Sequence, residues 1–321
     1  MRGRRGELQS CPGKRSLTLD PLTLCETERS LGIGYGIASR LARLWPTSYY
    51  ASLGASASKP YSLTLYFTAR NLERGQESLE TLRKELREQK AADGKAILSE
   101  NGGLTRLVFH QLDITDSNSR ESLRDTLMKN EGGLDLLINN AGIALDGFNS
   151  DVVEQTLGTN YWATKDLTML LASKMRKGGR VVTVASMAGK LKGYSPMLTQ
   201  RFKDAHASRS TDHADKLMAD FQQDVKSGDL EDNGWKLAAY SVSKAGVIAL
   251  HGALSKKYQD EGRDLLVATC CPGYVNTRMT KHKGVRHTDE GAATPVVLAL
   301  DEIGADKGGS FWENEKESQW F

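Results

Sequence analysis

The segment YSVSK, Tyr240 to Lys244, sets a phenol and an amine four residues apart at the start of an amphipathic stretch. On a helix, positions i and i+4 share a face, so the two groups stand side by side. A free phenol titrates near ~10 and a neighbouring cation favours its phenolate, so the pair reads as a proton donor and acceptor usable near neutrality. Helices whose tyrosine and lysine are simply solvated show the same spacing, and the pair alone does not separate the two readings. Ser186 adds context. It ends the run GRVVTVAS, and a hydroxyl at the carboxyl end of a buried strand can donate to a carbonyl oxygen as charge develops there. The alternative is a turn residue or helix cap. Another apolar run, LLINNAG, ends in Asn140, Ala141 and Gly142, either at the same edge or in a plain turn. Asn160 interrupts the apolar face of a long helical stretch, where an interior amide needs partners, either in a proton relay or in the core.

These residues need a frame that brings them together. From about Ser62 the chain alternates short apolar runs with longer amphipathic ones, the pattern of repeated β-α-β units around a parallel sheet. Strands are expected at 62–68, 105–111, 134–138, 180–185, 265–269 and 310–312, several apolar at nearly every position, as strands covered on both faces are. Helices are expected over 72–89, 119–130, 152–175, 239–258 and 290–300, on both sides of the sheet. Two segments break the rhythm. Residues 46–62, rich in Ser, Ala, Gly and Pro, read as an exposed, mobile loop. Residues 187–237 are polar, hold helical pieces such as 215–225, and read as an insertion rather than a second domain.

Composition narrows the class. Of 321 residues, 39% are hydrophobic and 26% charged, ordinary for a globular protein. Forty-three basic residues against 40 acidic ones leave a net charge of +3, no reason to expect a nucleic-acid or acidic-membrane partner. No apolar run approaches the roughly 20 residues that span a bilayer. Cys11, Cys25, Cys270 and Cys271 lack metal-ligand spacing, so neither a metal site nor a disulfide framework is expected, and a reducing cytoplasmic setting fits. The first fifteen residues carry five basic groups and one acid. They read as a disordered basic tail or an organelle-targeting arm, without the apolar centre of a secretory signal.

Taken together, Gly32 and Gly34 in LGIGYG, Asp113, Asn139 to Gly142, Asn160, Ser186, Tyr240, Lys244 and PGYVNT at Pro272 to Thr277 resemble the short-chain dehydrogenase/reductase family. The resemblance covers roughly residues 31–320. The long insertion between Ser186 and Tyr240, with CCPGYVNTRM and the tail GSFWENEKESQW, is similar to that branch's monomeric carbonyl reductases. This implies an α/β fold with a doubly wound Rossmann-type parallel sheet, a single domain over 31–321 with its insertion at about 187–237. It also implies a monomer, since the insertion covers a helix face that other members use to associate. The implied reaction is NADPH-dependent reduction of a small-molecule aldehyde, ketone or quinone.

By that resemblance Tyr240 protonates the carbonyl oxygen, Lys244 lowers the tyrosine pKa and holds the nicotinamide ribose, Ser186 polarises the carbonyl, and Asn160 supports the lysine through water. Cofactor contacts fall to Gly32, Ile33, Gly34, Asp113, Asn140, Ala141, Gly142, Tyr240, Lys244, Pro272, Gly273, Val275 and Thr277. Arg70 and Arg74 follow the second expected strand, where an acid would select NAD, and guanidinium groups there match the 2′-phosphate of NADPH. Aromatic residues of the insertion, Tyr194 and Trp235, suit a hydrophobic carbonyl. The amino terminus departs from the family pattern. Glu28 stands where the first loop glycine belongs, and its Cβ and carboxylate both oppose a pyrophosphate. DPLTLCET ahead of it is a poor central strand, because Pro21 lacks a backbone donor. Residues 1–30 therefore read as an atypical segment, disordered and without the first strand. The second reading of the whole chain is a catalytically weak or nonenzymatic homologue with impaired cofactor binding.

Overall fold

Apolar and β-branched runs bounded by turn residues become the strands of one sheet. A computed structural model describes residues 14–20, 32–53 and 61–321, the first of these stretches by its backbone. The strands are β1 (Lys14–Asp20), β2 (Ser62–Ala69), β3 (Thr105–Gln111), β4 (Leu134–Asn139), β5 (Met175–Val184), β6 (Leu265–Cys271), β7 (Phe311–Glu313) and β8 (Lys316–Ser318). They lie in the order β3-β2-β1-β4-β5-β6-β7-β8. All neighbours are parallel except β7 and β8, a hairpin whose turn residues Asn314 and Glu315 both take positive φ. The order reverses between β1 and β4, and the crevice outside their carboxyl ends is where open α/β sheets hold ligands.

The helices are α1 (Ile33–Leu44), α2 (Tyr49–Leu53), α3 (Leu72–Glu88), α4 (Ser117–Glu131), α5 (Ser150–Leu157), α6 (Thr164–Ala172), α7 (Pro196–Ala207), α8 (Asp212–Ser227), α9 (Ala239–Asp260), α10 (Thr288–Gly291) and α11 (Ala293–Leu300). Alternation along the strands builds two cores. Leu137, Val181 and Val267 face α4 to α9, while Leu136, Val182 and Ala268 face α1, α3 and α11. The insertion lies on α9, approached closely because Gly246 and Gly252 have no side chains: a Cβ there would run into Met218 of α8 and His206 of α7. Asp215 of α8 accepts from Tyr161 Oη at 2.8 Å and from Lys165 Nζ at 2.5 Å, fixing α8 to the helix of Asn160.

Four expectations need correction. The first strand is present: β1 pairs in parallel with β2 and β4, Leu17 standing opposite both Leu65 and Leu136. It ends at Asp20, just ahead of Pro21, so the proline that spoils DPLTLCET lies outside the ladder; the rest of 1–30 lies outside the described residues. Residues 46–62 are not all exposed loop. They begin with α2, whose Tyr50 and Ala51 are buried, and Tyr50 Oη donates to the Gly178 carbonyl at 2.9 Å while its ring supports Arg180; residues 54–60 lie outside the described residues. The helix expected over 152–175 contains a π-helical turn, Gly158–Ala163, and stops at Ala172, because Met175 already belongs to β5. The helix expected over 290–300 is split at Ala292 into α10 and α11.

Candidate active site

β5 ends at Val184, and Ser186 caps the short turn that follows, its Oγ accepting from Ala188 N at 3.1 Å. α9 begins opposite and presents Tyr240, with the Ser186 hydroxyl near enough to its phenol to favour the phenolate. One turn further, Lys244 Nζ lies 5.7 Å from the Tyr240 ring centre and donates to the Val184 carbonyl at 2.8 Å. Gly189 permits this approach, since a Cβ there would strike the Lys244 backbone. Asn160 enters from the π turn. Its Oδ1 accepts from Ile143 N at 2.8 Å, and its Nδ2 donates to Ile143 O at 2.9 Å and Ser243 Oγ at 3.0 Å. Gly142 completes the group: a Cβ would sit 3.1 Å from Asn160 Oδ1 and 3.5 Å from Lys244 Nζ. All four expected catalytic side chains are thus brought together at the carboxyl ends of β4 and β5.

Burial sets the protonation states. It pushes the Tyr240 phenol up to about 12, with the Ser186 hydroxyl offsetting part of the rise, and brings the Lys244 ammonium down to about 8. The phenol stays protonated through neutrality, the state a general acid needs. Below the lysine runs a buried chain: Asn139 Nδ2 donates to Thr183 Oγ1 at 3.0 Å, which meets His251 Nε2 at 2.7 Å, while His251 Nδ1 meets the Val247 carbonyl at 2.8 Å. A carbonyl can only accept, so Nδ1 carries the proton and Thr183 donates to Nε2. Burial holds the His251 imidazole down to about 4.

Beside these groups opens a cavity of about 870 Å³. Of the expected cofactor residues, Gly32, Arg70, Asp113, Gly142 and Thr277 line it. Ile33 and Gly34 form the first turn of α1 behind Gly32, whose helix start has no side-chain cap. Asn140 is buried with both amide atoms unpartnered, and Ala141 is buried beside it. Pro272 and Gly273 turn the chain after β6, Gly273 with φ 82° against the Arg286 side chain. Val275 points into the core against Gly291, and Arg74, in the first turn of α3, is outside the cavity lining. Glu28 lies outside the described residues.

Some site residues escaped the sequence reading. Ile114, Ile143 and Arg278 also line the cavity and directly follow Asp113, Gly142 and Thr277, a signal that adjacency to a motif could have supplied. Arg120 and Trp162, also in the lining, carry no such signal. Tyr194 and Trp235 do not face a substrate. Both are buried in the insertion's own core, against Phe202 and Phe221, with Trp235 Nε1 donating to Asp224 at 2.7 Å. Two long helices projecting from a sheet need apolar contacts of their own, and these aromatics supply them. Exposed apolar groups close in sequence to site residues are Met187, Leu237 and Tyr274, at 57, 55 and 51% exposure, and Leu145, 41% exposed, lines the cavity itself. Cys270 and Cys271 are free and buried, with burial pushing both thiols up. Cys271 Sγ accepts from Met187 N and Gly273 N, tying the Ser186 turn to the Gly273 turn. Among the described residues there is no metal-ligand cluster and no helix long and apolar enough to cross a membrane.

Sheet order, crevice and the Ser186, Tyr240, Lys244 group together define a Rossmann-type dehydrogenase. The profile for short chain dehydrogenases matches residues 69–197 and 225–287. The chain belongs to the short-chain dehydrogenase/reductase family. It is 34% identical over 303 residues to carbonyl reductase (NADPH) 1 of Macaca fascicularis, covering 92% of this chain and 96% of that protein. It is 42% identical over 200 residues to carbonyl reductase (NADPH) 3 of Rattus norvegicus, covering 60% of this chain and 72% of that protein. Among solved structures, salutaridine reductase from Papaver somniferum shares the fold with a TM-score of 0.68 at 24% identity, over 94% of this chain and 100% of that one.

Proposed function

We propose that this protein reduces small-molecule aldehydes, ketones or quinones to alcohols with NADPH. The observation that carries the reading is the convergence of Ser186, Tyr240 and Lys244 beside a large cavity. The residues fit a dinucleotide. The uncapped start of α1 offers backbone N–H groups to phosphate, the orphaned Asn140 amide is a buried donor and acceptor without partners, and Arg70 follows β2 where a 2′-phosphate would lie. Relatives named as NADPH carbonyl reductases support the same cofactor.

When bound, NADPH supplies hydride to the carbonyl carbon. The chain's own groups handle the oxygen. Ser186 and Tyr240 present hydroxyls to it, and as the C=O π bond becomes a C–O single bond the Tyr240 O–H bond breaks and its proton passes to oxygen. The phenolate left behind is stabilised by the Lys244 ammonium and regains a proton from solvent. Asn160 holds the Ile143 backbone and Ser243 of α9, so it fixes the helix that carries both Tyr240 and Lys244. Met187, Leu237 and Tyr274 offer apolar contact to the rest of a hydrophobic carbonyl.

The reading extends to assembly and location. α7 and α8 occupy the face of α9 that would otherwise pair with a second copy, which supports a monomer; light scattering giving a dimer would reject it. The unpaired Cys270 and Cys271 accord with a cytoplasmic protein. The decisive experiment titrates NADPH by fluorescence, then measures carbonyl turnover by wild type and Tyr240→Phe. Saturable binding, and turnover lost in the variant by a factor of about 100 or more, are expected. No NADPH binding by wild type rejects the enzyme reading, and equal turnover rejects Tyr240 as the acid.

A further inference from the structure

One cation in the cavity is left unused by these roles. Arg278 lines the space that also contains Gly32 and Arg70. Its Nη1 is shut off from solvent without a hydrogen-bond partner, and among the described residues no carboxylate pairs with the guanidinium. Of the three acids lining the same cavity, Asp113 accepts from Thr115, Asp166 pairs with Arg120, and Glu154 makes no ion pair with Arg278. The backbone on either side of Arg278 is pinned. Thr280 Oγ1 donates to the Val275 and Thr277 carbonyls at 2.7 and 2.9 Å as alternatives, and Lys281 Nζ holds both oxygens of Asp146 at 2.8 and 2.9 Å. A rigid loop thus presents a charge that nothing in the described chain neutralises, and burying such a donor unpaired is costly.

Position narrows what it meets. Arg70 follows β2 and Arg278 follows β6, four strand spacings apart in the sheet order, or roughly 19 Å. The two arginines therefore do not serve one phosphate. Between them lie β1, the α1 amino terminus and the crevice, where the linking phosphates of a dinucleotide would rest. The sequence adds a reason for a second donor: by the family pattern Glu28, outside the described residues, falls where a glycine is expected and adds a negative charge. Arginine answers both with parallel N–H donors suited to phosphate.

We propose that Arg278 is a pyrophosphate ligand, reaching the linking phosphates from the loop after β6 while the α1 amino terminus reaches them from the loop after β1. The assignment rests on the NADPH reading above. The test titrates wild type, Arg278→Ala, Arg278→Lys and Arg70→Ala with NADPH, NADH and adenosine 2′-monophosphate, which has no pyrophosphate. Arg278→Ala should weaken NADPH and NADH by the same factor, about 10- to 100-fold, with part restored in Arg278→Lys. It should leave adenosine 2′-monophosphate unchanged, which also shows the variant is folded. Arg70→Ala should weaken NADPH alone. Loss confined to NADPH would make Arg278 a 2′-phosphate contact and overturn the assignment. Unchanged nucleotide binding with a raised KM for carboxylate-bearing carbonyls would make it a substrate contact, also overturning it, as would loss of adenosine 2′-monophosphate in both Arg278 variants. Wild type that binds neither dinucleotide rejects the NADPH reading itself, a result distinct from all of these.

Discussion

Asn140 and Asn160, both buried near the carboxyl end of β4, are treated in opposite ways. Asn160 uses its carbonyl and its amide hydrogens on Ile143 and Ser243, whereas Asn140 has neither atom partnered. The contrast extends to their surroundings. Lys244 is bound to Val184 O, His251 is bonded through both ring nitrogens, and Ser186 meets Tyr240. On the cofactor side, Arg278 and Asn140 wait and α1 starts uncapped. Apart from Asn139 Oδ1, the catalytic side is completed by the protein, and the cofactor side only by a ligand. Satisfied buried networks rigidify, while unsatisfied ones hold free energy that an arriving partner releases.

The sharpest way to break this contrast is Asn160→Leu. It removes three hydrogen bonds and leaves the Ile143 backbone unpaired, so stability should fall by about 3 kcal/mol and turnover by about 100-fold; a thermal melt and a rate measurement check both. On the other side, Arg70→Asp should weaken NADPH by up to about 100-fold and NADH much less, with no change in melting temperature. Equal losses for both nucleotides would remove the 2′-phosphate assignment.

His251 separates fold from ligand next. Its folded pKa, about 4, lies below the ordinary 6.5, so the unfolded chain takes the proton first. Stability is full above pH 6.5 and declines as pH falls toward 4, by about 2 to 3 kcal/mol at pH 4.5. His251→Gln should flatten that decline in denaturant titrations across the range. The smallest effect concerns Lys244. Its ammonium loses its proton as pH rises through about 8, so NADPH affinity of the free protein should drop a few-fold between pH 7 and 9. Lys244→Met should bind more weakly and show no such step.

Much of this was legible because the chemistry follows strand ends. The runs GRVVTVAS and LLINNAG announce buried strands, and Ser186 and Asn140 to Gly142 stand where each run stops. Tyr240 and Lys244 need only helical spacing. β1 was not legible, since KRSLTLD alternates polar and apolar residues and lies eleven residues ahead of Gly32, and what identifies Lys14–Asp20 is its pairing with β2 and β4. Arg278 directly follows the motif that ends at Thr277, but the motif assigns it no role; the cavity and the missing counter-charge single it out. Tyr194 and Trp235 misled for the opposite reason, because aromatic content does not say which side of an insertion becomes its core.

The π turn at Gly158–Ala163 has a genealogical consequence. A wide turn of this kind holds one residue more than an α-helical turn, so it absorbs an extra residue while α5 and α6 stay in phase. No substitution undoes that. Deleting one residue within 158–163 would close the wide turn into an ordinary α-helical one with α5 and α6 still facing as they do, so a lineage can gain or lose this turn in one step without turning the rest of the helix.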